Sequence, residues 1–320
     1  MLAALLLASC ATGRQAGSTR STSAPGVRSP ATASPGKTAT TAPAGLSPRH
    51  PPAHIFVVVM ENLSYASAMA TPGFAALARR FAYLSSDYAV SHPSLPNYLG
   101  LVAGSTFGVT SDCLGCFVNA DNLGTQMSAA GISWGAYMES VGQPCYLGTS
   151  FGDYAAKHNP FRYFTGIRNS TTACAHLLPY GALGPELAGP AAGVPRFVWV
   201  SPNVCNDGHS CPPALAAAWL TSFADTVVSS AAWRGGGELF VTWDEGDASD
   251  TRSMTSSGAV TPSGGGGHVL MLVVSPSVPA GTVIPAPLNH FGLLATIEKT
   301  LGLPYLGAAR AWARHTLPLG

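Results

Sequence analysis

Residues His54–Met60 read HIFVVVM, seven in a row without a carboxylate, lysine or arginine, four of them β-branched. Strict alternation would mark a strand with one wet face. An unbroken apolar run of this length marks a strand covered on both faces. Runs of the same kind recur at Arg196–Val200 (RFVWV), Glu238–Trp243 (ELFVTW) and Val269–Val274 (VLMLVV), and Ile132–Met138 suits a further strand. Helical spacing lies between and around them, over Phe74–Phe81, Pro213–Ser230 and His290–Leu301. Strands interleaved with helices predict an α/β fold, a three-layer αβα sandwich around a mainly parallel sheet. Ligand-binding groups in such sheets gather beyond the carboxyl ends of the strands.

Polar residues do follow the strands directly. Glu61 and Asn62 end the first run, Asp244 and Glu245 end ELFVTW, and Asn203 to His209 follows RFVWV. His268 departs from the rule, because it opens its strand behind Gly264–Gly267. Adjacent carboxylates at a buried sheet edge repel and need a counter-charge. Carboxylate and amide oxygens alone suit a hard divalent cation, Mg²⁺, Ca²⁺ or Mn²⁺ rather than Zn²⁺. An isolated Glu-Asn pair would be a turn or a cap; two such pairs after two apolar strands point to a metal. In His92-Pro-Ser-Leu-Pro-Asn-Tyr98, a loop enters a helix over Asn97–Val102, and Ser94 sits near its positive end as a cap or a nucleophile. His209 is a proton donor, a phosphate ligand or part of a turn clamped by cysteines, and Lys157-His158-Asn159-Pro160-Phe161 is an anion contact or a surface turn.

The chain has 320 residues, 47% hydrophobic and 10% charged, with a formal net charge of +1. That supports a sizeable core and excludes a wholly disordered chain. No run of about 18 apolar residues occurs, which excludes a polytopic membrane protein. The near-zero charge gives no reason to expect a nucleic-acid partner. No acidic residue precedes Glu61, whereas Arg14, Arg20, Arg28, Lys37 and Arg49 all precede residue 53. Residues 11–52 are mostly Ala, Gly, Ser, Thr and Pro, the composition of a disordered tether. Before them, Met1–Ser9 is short, apolar and ends in small residues, and Leu7-Ala8-Ser9-Cys10 resembles a bacterial lipobox. The expectation is a signal peptide over 1–10, lipid on Cys10, and a domain over 53–320 lying outside the cytoplasm, membrane-anchored or secreted. Six further cysteines, an even number, point to disulfides in an exported chain. Fifteen pairings are open; the short loops favour Cys113–Cys116 and Cys205–Cys211, leaving Cys145–Cys174. Cys113 and Cys116 would be half a zinc site, but no second C-x-x-C completes it.

Several motifs, in order, resemble a known family: VVVMENLSY (57–65), SHPSLPNYLGLVAGSTFG (91–108), YAAKHNPFRYF (154–164), SPNVCNDGH (201–209), VTWDEGD (241–247), HVLMLVVSP (268–276) and NHFGLLATIEKTLGLP (289–304). The set resembles the phosphoesterase family of acid phosphatases and non-specific phospholipases C, within the alkaline-phosphatase-like superfamily. The resemblance implies metal ligands at Glu61, Asn62, Asp244 and Glu245, a nucleophile at Ser94, and a phosphate contact at Asn97. It implies phosphoryl or leaving-group roles for His209 and His268, and phosphate-site positions at His158 and Asp207. His290 matches a recurrent histidine or is a helix cap. The implied function is an exported acid phosphatase using a phosphoserine and one divalent metal, without an organic cofactor, on a phosphorylated small molecule or lipid headgroup. A phospholipase C-type phosphodiesterase is the alternative, and a non-catalytic binding lipoprotein a third reading. Pro96-Asn97-Tyr98, where many phospholipases C carry Pro-Asn-Arg, favours the first. The loops 105–130 and 246–267 are expected to shape the pocket, the second, rich in Ser, Thr and Gly, as a mobile lid.

Overall fold

A computed structural model describes residues 52–317, which form one compact unit. The expected signal segment, Cys10 and the expected tether up to residue 51 lie outside the described residues. One sheet is built from β1 (His54–Met60), β2 (Ala82–Tyr88), β3 (Trp134–Met138), β4 (Leu177–Pro179), β5 (Phe197–Ser201), β6 (Gly237–Trp243) and β7 (His268–Val274), with the short β8 (Val283–Ile284) and β9 (Leu288–Asn289) both on β2. The order is β8-β2-β7-β6-β1-β5-β3-β4. Every pairing is parallel except those of β7, which runs against β2 and β6.

The apolar run at β1 lies between two parallel neighbours with all seven residues buried. Its side chains alternate between two cores. Ile55, Val57 and Val59 face the layer of α2 (Ser94–Ala103) and α4 (His290–Leu301). Phe56, Val58 and Met60 face the layer of α1 (Pro72–Arg80) and α3 (Pro213–Ser229). This is the three-layer αβα sandwich that the sequence implies.

The reversed strand explains the exception at His268. An antiparallel strand begins at the edge where its parallel neighbours end, so the start of β7 reaches the same edge as Glu61 and Asp244. Strand β2 was not foreseen, because Ser85, Ser86 and Asp87 interrupt its apolar character. The expected lid at 246–267 is instead pinned. It holds a small hairpin, Ser253–Met254 against Val260–Thr261, and its glycine run threads between residues 89–91 and the 250–253 start of the same loop. Gly266 donates to Ala89 O and Gly267 to Arg252 O, while Ala89 donates to Gly267 O. A Cβ on Gly266 would lie 2.1 Å from Ser91 O, so the crossing is one that only glycine permits.

Candidate active site

The site forms where β1 and β6 end. Backbone bonds lock the ends together: Asp244 N–H donates to Met60 O, Leu63 N–H to Glu245 O, and Glu61 N–H to Asp207 O. Asn62 takes a positive φ of 52°, which Asn tolerates, and its N–H donates to Asp244 Oδ1 at 3.0 Å. Glu61, Asp244 and Glu245 are thereby buried side by side.

Ser94 is the first residue of α2, with Pro93 at the cap position. It does not cap the helix. Its buried Oγ faces Glu61 Oε2 at 3.2 Å, Glu245 Oε1 at 3.4 Å and Lys157 Nζ at 3.2 Å. The helix amide that a phosphate would seek, Leu95 N–H, donates to Asp112 Oδ1 at 2.9 Å. The other oxygen of Asp112 pairs with Lys157 Nζ at 3.0 Å. Lys157 Nζ also lies 3.3 Å from His209 Nε2, and His209 stands exposed at the mouth.

Behind Ser94, His158 joins two carboxylates. Its Nε2 lies 3.0 Å from Glu61 Oε1 and its Nδ1 2.9 Å from Asp207 Oδ2, as charge contacts without good hydrogen-bond alignment. Tyr98 stacks on the imidazole and donates to Glu61 Oε1 at 2.8 Å. Burial alone would push Glu61 up, but His158, Lys157 and Tyr98 outweigh it and hold the carboxyl down at about 2. Burial likewise disfavours charge on His158, and the Glu61 and Asp207 carboxylates reverse this, raising it to about 9.

Asp244 behaves differently. Burial, then the charges of Glu61 and Glu245, push it well above the ordinary carboxylate range. Its Oδ2 is buried with no hydrogen-bond partner. An orphaned oxygen among three carboxylates fits a divalent cation, and the oxygen donors Glu61, Asn62, Asp244 and Glu245 suit a hard one. Glu61, His158 and Asp207 also present ligand atoms within 4.8 Å of one another. There the two imidazole nitrogens each face a carboxylate, so the ring serves as their counter-charge.

Four expected residues have other surroundings. Asn97 accepts from Val90 N–H and Ser91 N–H through Oδ1 and donates to Ser91 O and Pro93 O through Nδ2. All four of its hydrogen-bonding positions therefore hold the loop before Ser94, and none is left for phosphate. His268 is not brought to Ser94: its ring stacks between Tyr65 and Tyr88, and its Nε2 faces Ser85 O. His290 is buried under Asp244, its Nε2 2.6 Å from Asp244 O, and burial lowers it to about 4. Asp207 stays behind the site, on His158 and on His209 N–H.

Sequence reasoning missed Asp112 and His92. His92 Nδ1 pairs with Glu245 Oε2 at 2.6 Å and its Nε2 faces Asp250 O. Asp112 sits beside Cys113, whose pairing with Cys116 pins its loop; that adjacency is its one signal. The other disulfides are Cys145–Cys174 and Cys205–Cys211. The second clamps the loop carrying Asp207 and His209, which Glu139 also latches through Asn203 N–H and Asn206 Nδ2.

A model of the Phosphoesterase family matches residues 56–304, which takes in the whole of this site. The chain belongs to that family. A phosphatidylinositol-3-phosphatase of Mycobacterium tuberculosis is 32% identical to this phosphoesterase over 263 residues, 80% of this chain and 79% of the relative. An acid phosphatase of Aspergillus fumigatus is 26% identical over 261 residues, 79% of this chain but 55% of the relative, so the chain spans about half of that protein. A solved structure of an alkaline phosphatase superfamily protein from Vibrio parahaemolyticus covers 80% of this chain and is covered over 67% of its own, with TM-score 0.51 at 12% identity. The fold is alkaline-phosphatase-like. No described helix is long and apolar enough to cross a membrane.

Proposed function

We propose that this phosphoesterase is an acid phosphatase that hydrolyses phosphate monoesters through a phosphoserine on Ser94. One observation carries the reading. Ser94 Oγ is buried, makes no backbone bond, and stands among Glu61, Glu245 and Lys157. The acid phosphatases and the lipid phosphatase among its relatives support a phosphorylated small molecule or lipid headgroup as substrate. The same reading places the domain outside the cytoplasm, anchored through Cys10 or secreted.

Glu61, Asn62, Asp244 and Glu245 would hold one divalent cation, which supplies Lewis-acid charge beside Ser94 Oγ. Ser94 passes its proton to Glu245 Oε1, and Oγ attacks phosphorus. The bond from phosphorus to the leaving oxygen breaks, and that oxygen takes a proton from His209 at the mouth. Water then attacks the phosphoserine and gives a proton to His209. The bond from Ser94 to phosphorus breaks, and Ser94 recovers its proton from Glu245. His158 keeps Glu61 and Asp207 in place throughout.

The test compares p-nitrophenyl phosphate with bis-p-nitrophenyl phosphate at pH about 5 to 8, where histidine titrates. The monoester should be preferred. Ser94→Ala should lower its turnover by about 10⁴-fold or more with an unchanged melting temperature. Turnover retained in Ser94→Ala removes the nucleophile assignment, and preference for the diester moves the protein to the phospholipase C side. Calorimetric titration of Mn²⁺ into chelator-treated protein should show one site, lost in Asp244→Asn. Unaltered binding in that variant would refute this ligand set.

A further inference from the structure

We infer that Lys157, steered by Asp112, makes this site select dianionic phosphate monoesters over diesters. The inference rests on the phosphatase reading and concerns the group that recognises substrate charge.

Lys157 is the one described lysine or arginine that reaches Ser94 Oγ. The other cations nearby are engaged: His158 lies between Glu61 and Asp207, His92 is on Glu245, Arg252 is on Asp250, and buried Arg162 reaches the carbonyls of Leu114 and Leu147. Lys157 Nζ has three N–H donors and three neighbours, Ser94 Oγ, Asp112 Oδ2 and His209 Nε2. The contact with exposed His209 is the one that an entering phosphate displaces, since it lies toward the mouth. The ammonium can then serve the nucleophile and a non-bridging oxygen together, while His209 is freed toward the leaving group.

Asp112 fixes this arrangement from outside. One carboxylate oxygen is anchored on the α2 amide of Leu95 and the other on Lys157. Its loop is closed by Cys113–Cys116. The ammonium is thus held at a rigid point rather than on a free four-carbon stem. The attraction of a fixed cation scales with the charge it meets. A monoester brings two negative charges and a diester one, so loss of the ammonium must cost the monoester more. Lys157 is accordingly a catalytic residue, and Asp112 a positioning residue.

The experiment measures kcat/KM for p-nitrophenyl phosphate and its bis ester in the full chain and in Lys157→Gln, Lys157→Arg and Asp112→Asn. Lys157→Gln should lower the monoester value by about 10²-fold, the scale for losing one preorganised donor. The diester should lose about tenfold or less, so the preference falls by about tenfold or more. Lys157→Arg should keep most of the preference. Asp112→Asn should shift it the same way, mainly through KM, at an unchanged melting temperature. Equal losses on both esters in Lys157→Gln would overturn the inference. Calorimetric binding of inorganic phosphate gives a readout without turnover. Affinity should drop in Lys157→Gln and persist in Ser94→Ala. Undiminished affinity in Lys157→Gln refutes the role of Lys157, whatever the esters show, whereas the phosphoserine reading stands or falls on turnover in Ser94→Ala.

Discussion

Buried carboxyl groups occur in two regions of this molecule. In the scaffold, Asp87 on β2, Glu238 on β6 and Glu298 on α4 each touch one neutral donor, Thr242 Oγ1, Ser275 Oγ and Leu306 N–H, and each keeps one oxygen unpartnered. Burial raises them to about 8, about 7 and about 8. At the site Glu61 is buried as deeply, yet it is held at about 2. Depth does not separate the two regions. Counter-charge does: the fold brings His158 and Lys157 to Glu61 and, among the described residues, brings no cation to the other three. Asp244 stands between these cases, inside the site but raised like a scaffold acid, and its orphaned Oδ2 beside Glu61 and Glu245 is the opening a cation would fill.

The sharpest way to break this contrast is to take the counter-charge away. His158→Gln leaves Glu61 and Asp207 buried without it, and we expect a loss of about 3–5 kcal/mol. Urea unfolding at fixed pH would measure it, and a loss under about 1 kcal/mol would mean that the imidazolium is not their partner. The scaffold acids give the next effect, with the opposite sign of pH dependence to an ion-paired carboxylate. A folded-state pKa above the unfolded value means that the native protein binds the extra protons. Stability is therefore greatest below the ordinary carboxylate range and declines as the pH rises through about 7 to 8. Melting temperature should fall over that interval, and Glu298→Gln should flatten the fall. An unchanged fall in Glu298→Gln would show that this carboxyl is already charged in the native state. The smallest effect lies in the loop behind His209. Removing Cys205–Cys211, a crosslink of sequence separation 6, should cost about 2 kcal/mol by loop-closure entropy. It should lower turnover by freeing His209, measured against intact protein at one temperature.

The carboxylate half of the site was legible because it stands at strand ends. Apolar runs announce β1 and β6, and the fold class alone places the polar residues after each run at the carboxyl edge of the sheet. The other half was not. Lys157, an anion contact or a surface turn by its sequence, lies on a short 3₁₀ turn 45 residues from Asp112, and nothing local in either segment encodes their meeting. His268 was misplaced for a related reason. Strand direction is not written in an apolar run, and the reversal of β7 brings His268 to the correct edge but into a sandwich of Tyr65 and Tyr88. Asn97 shows a third limit. Residue type at a motif position identifies a hydrogen-bonding capacity, whereas the fold decides that the loop backbone, not a ligand, fills it.

The glycine crossing bears on how this enzyme's specificity can change over evolution. At Gly266 two backbones pass with no room for a methyl group. The packing of residues 89–91 against the glycine run, beside the His92 that holds Glu245, is set by main-chain radii, and no series of side-chain exchanges there can loosen it by degrees. The loop from Asp112 to Phe117, which carries the Asp112 that holds Lys157, turns Leu114 outward into solvent, where its side chain can be exchanged at little cost to the core. New substrates would therefore be accommodated by variation on the disulfide-closed loop beside Lys157, while the glycine crossing stays as it is.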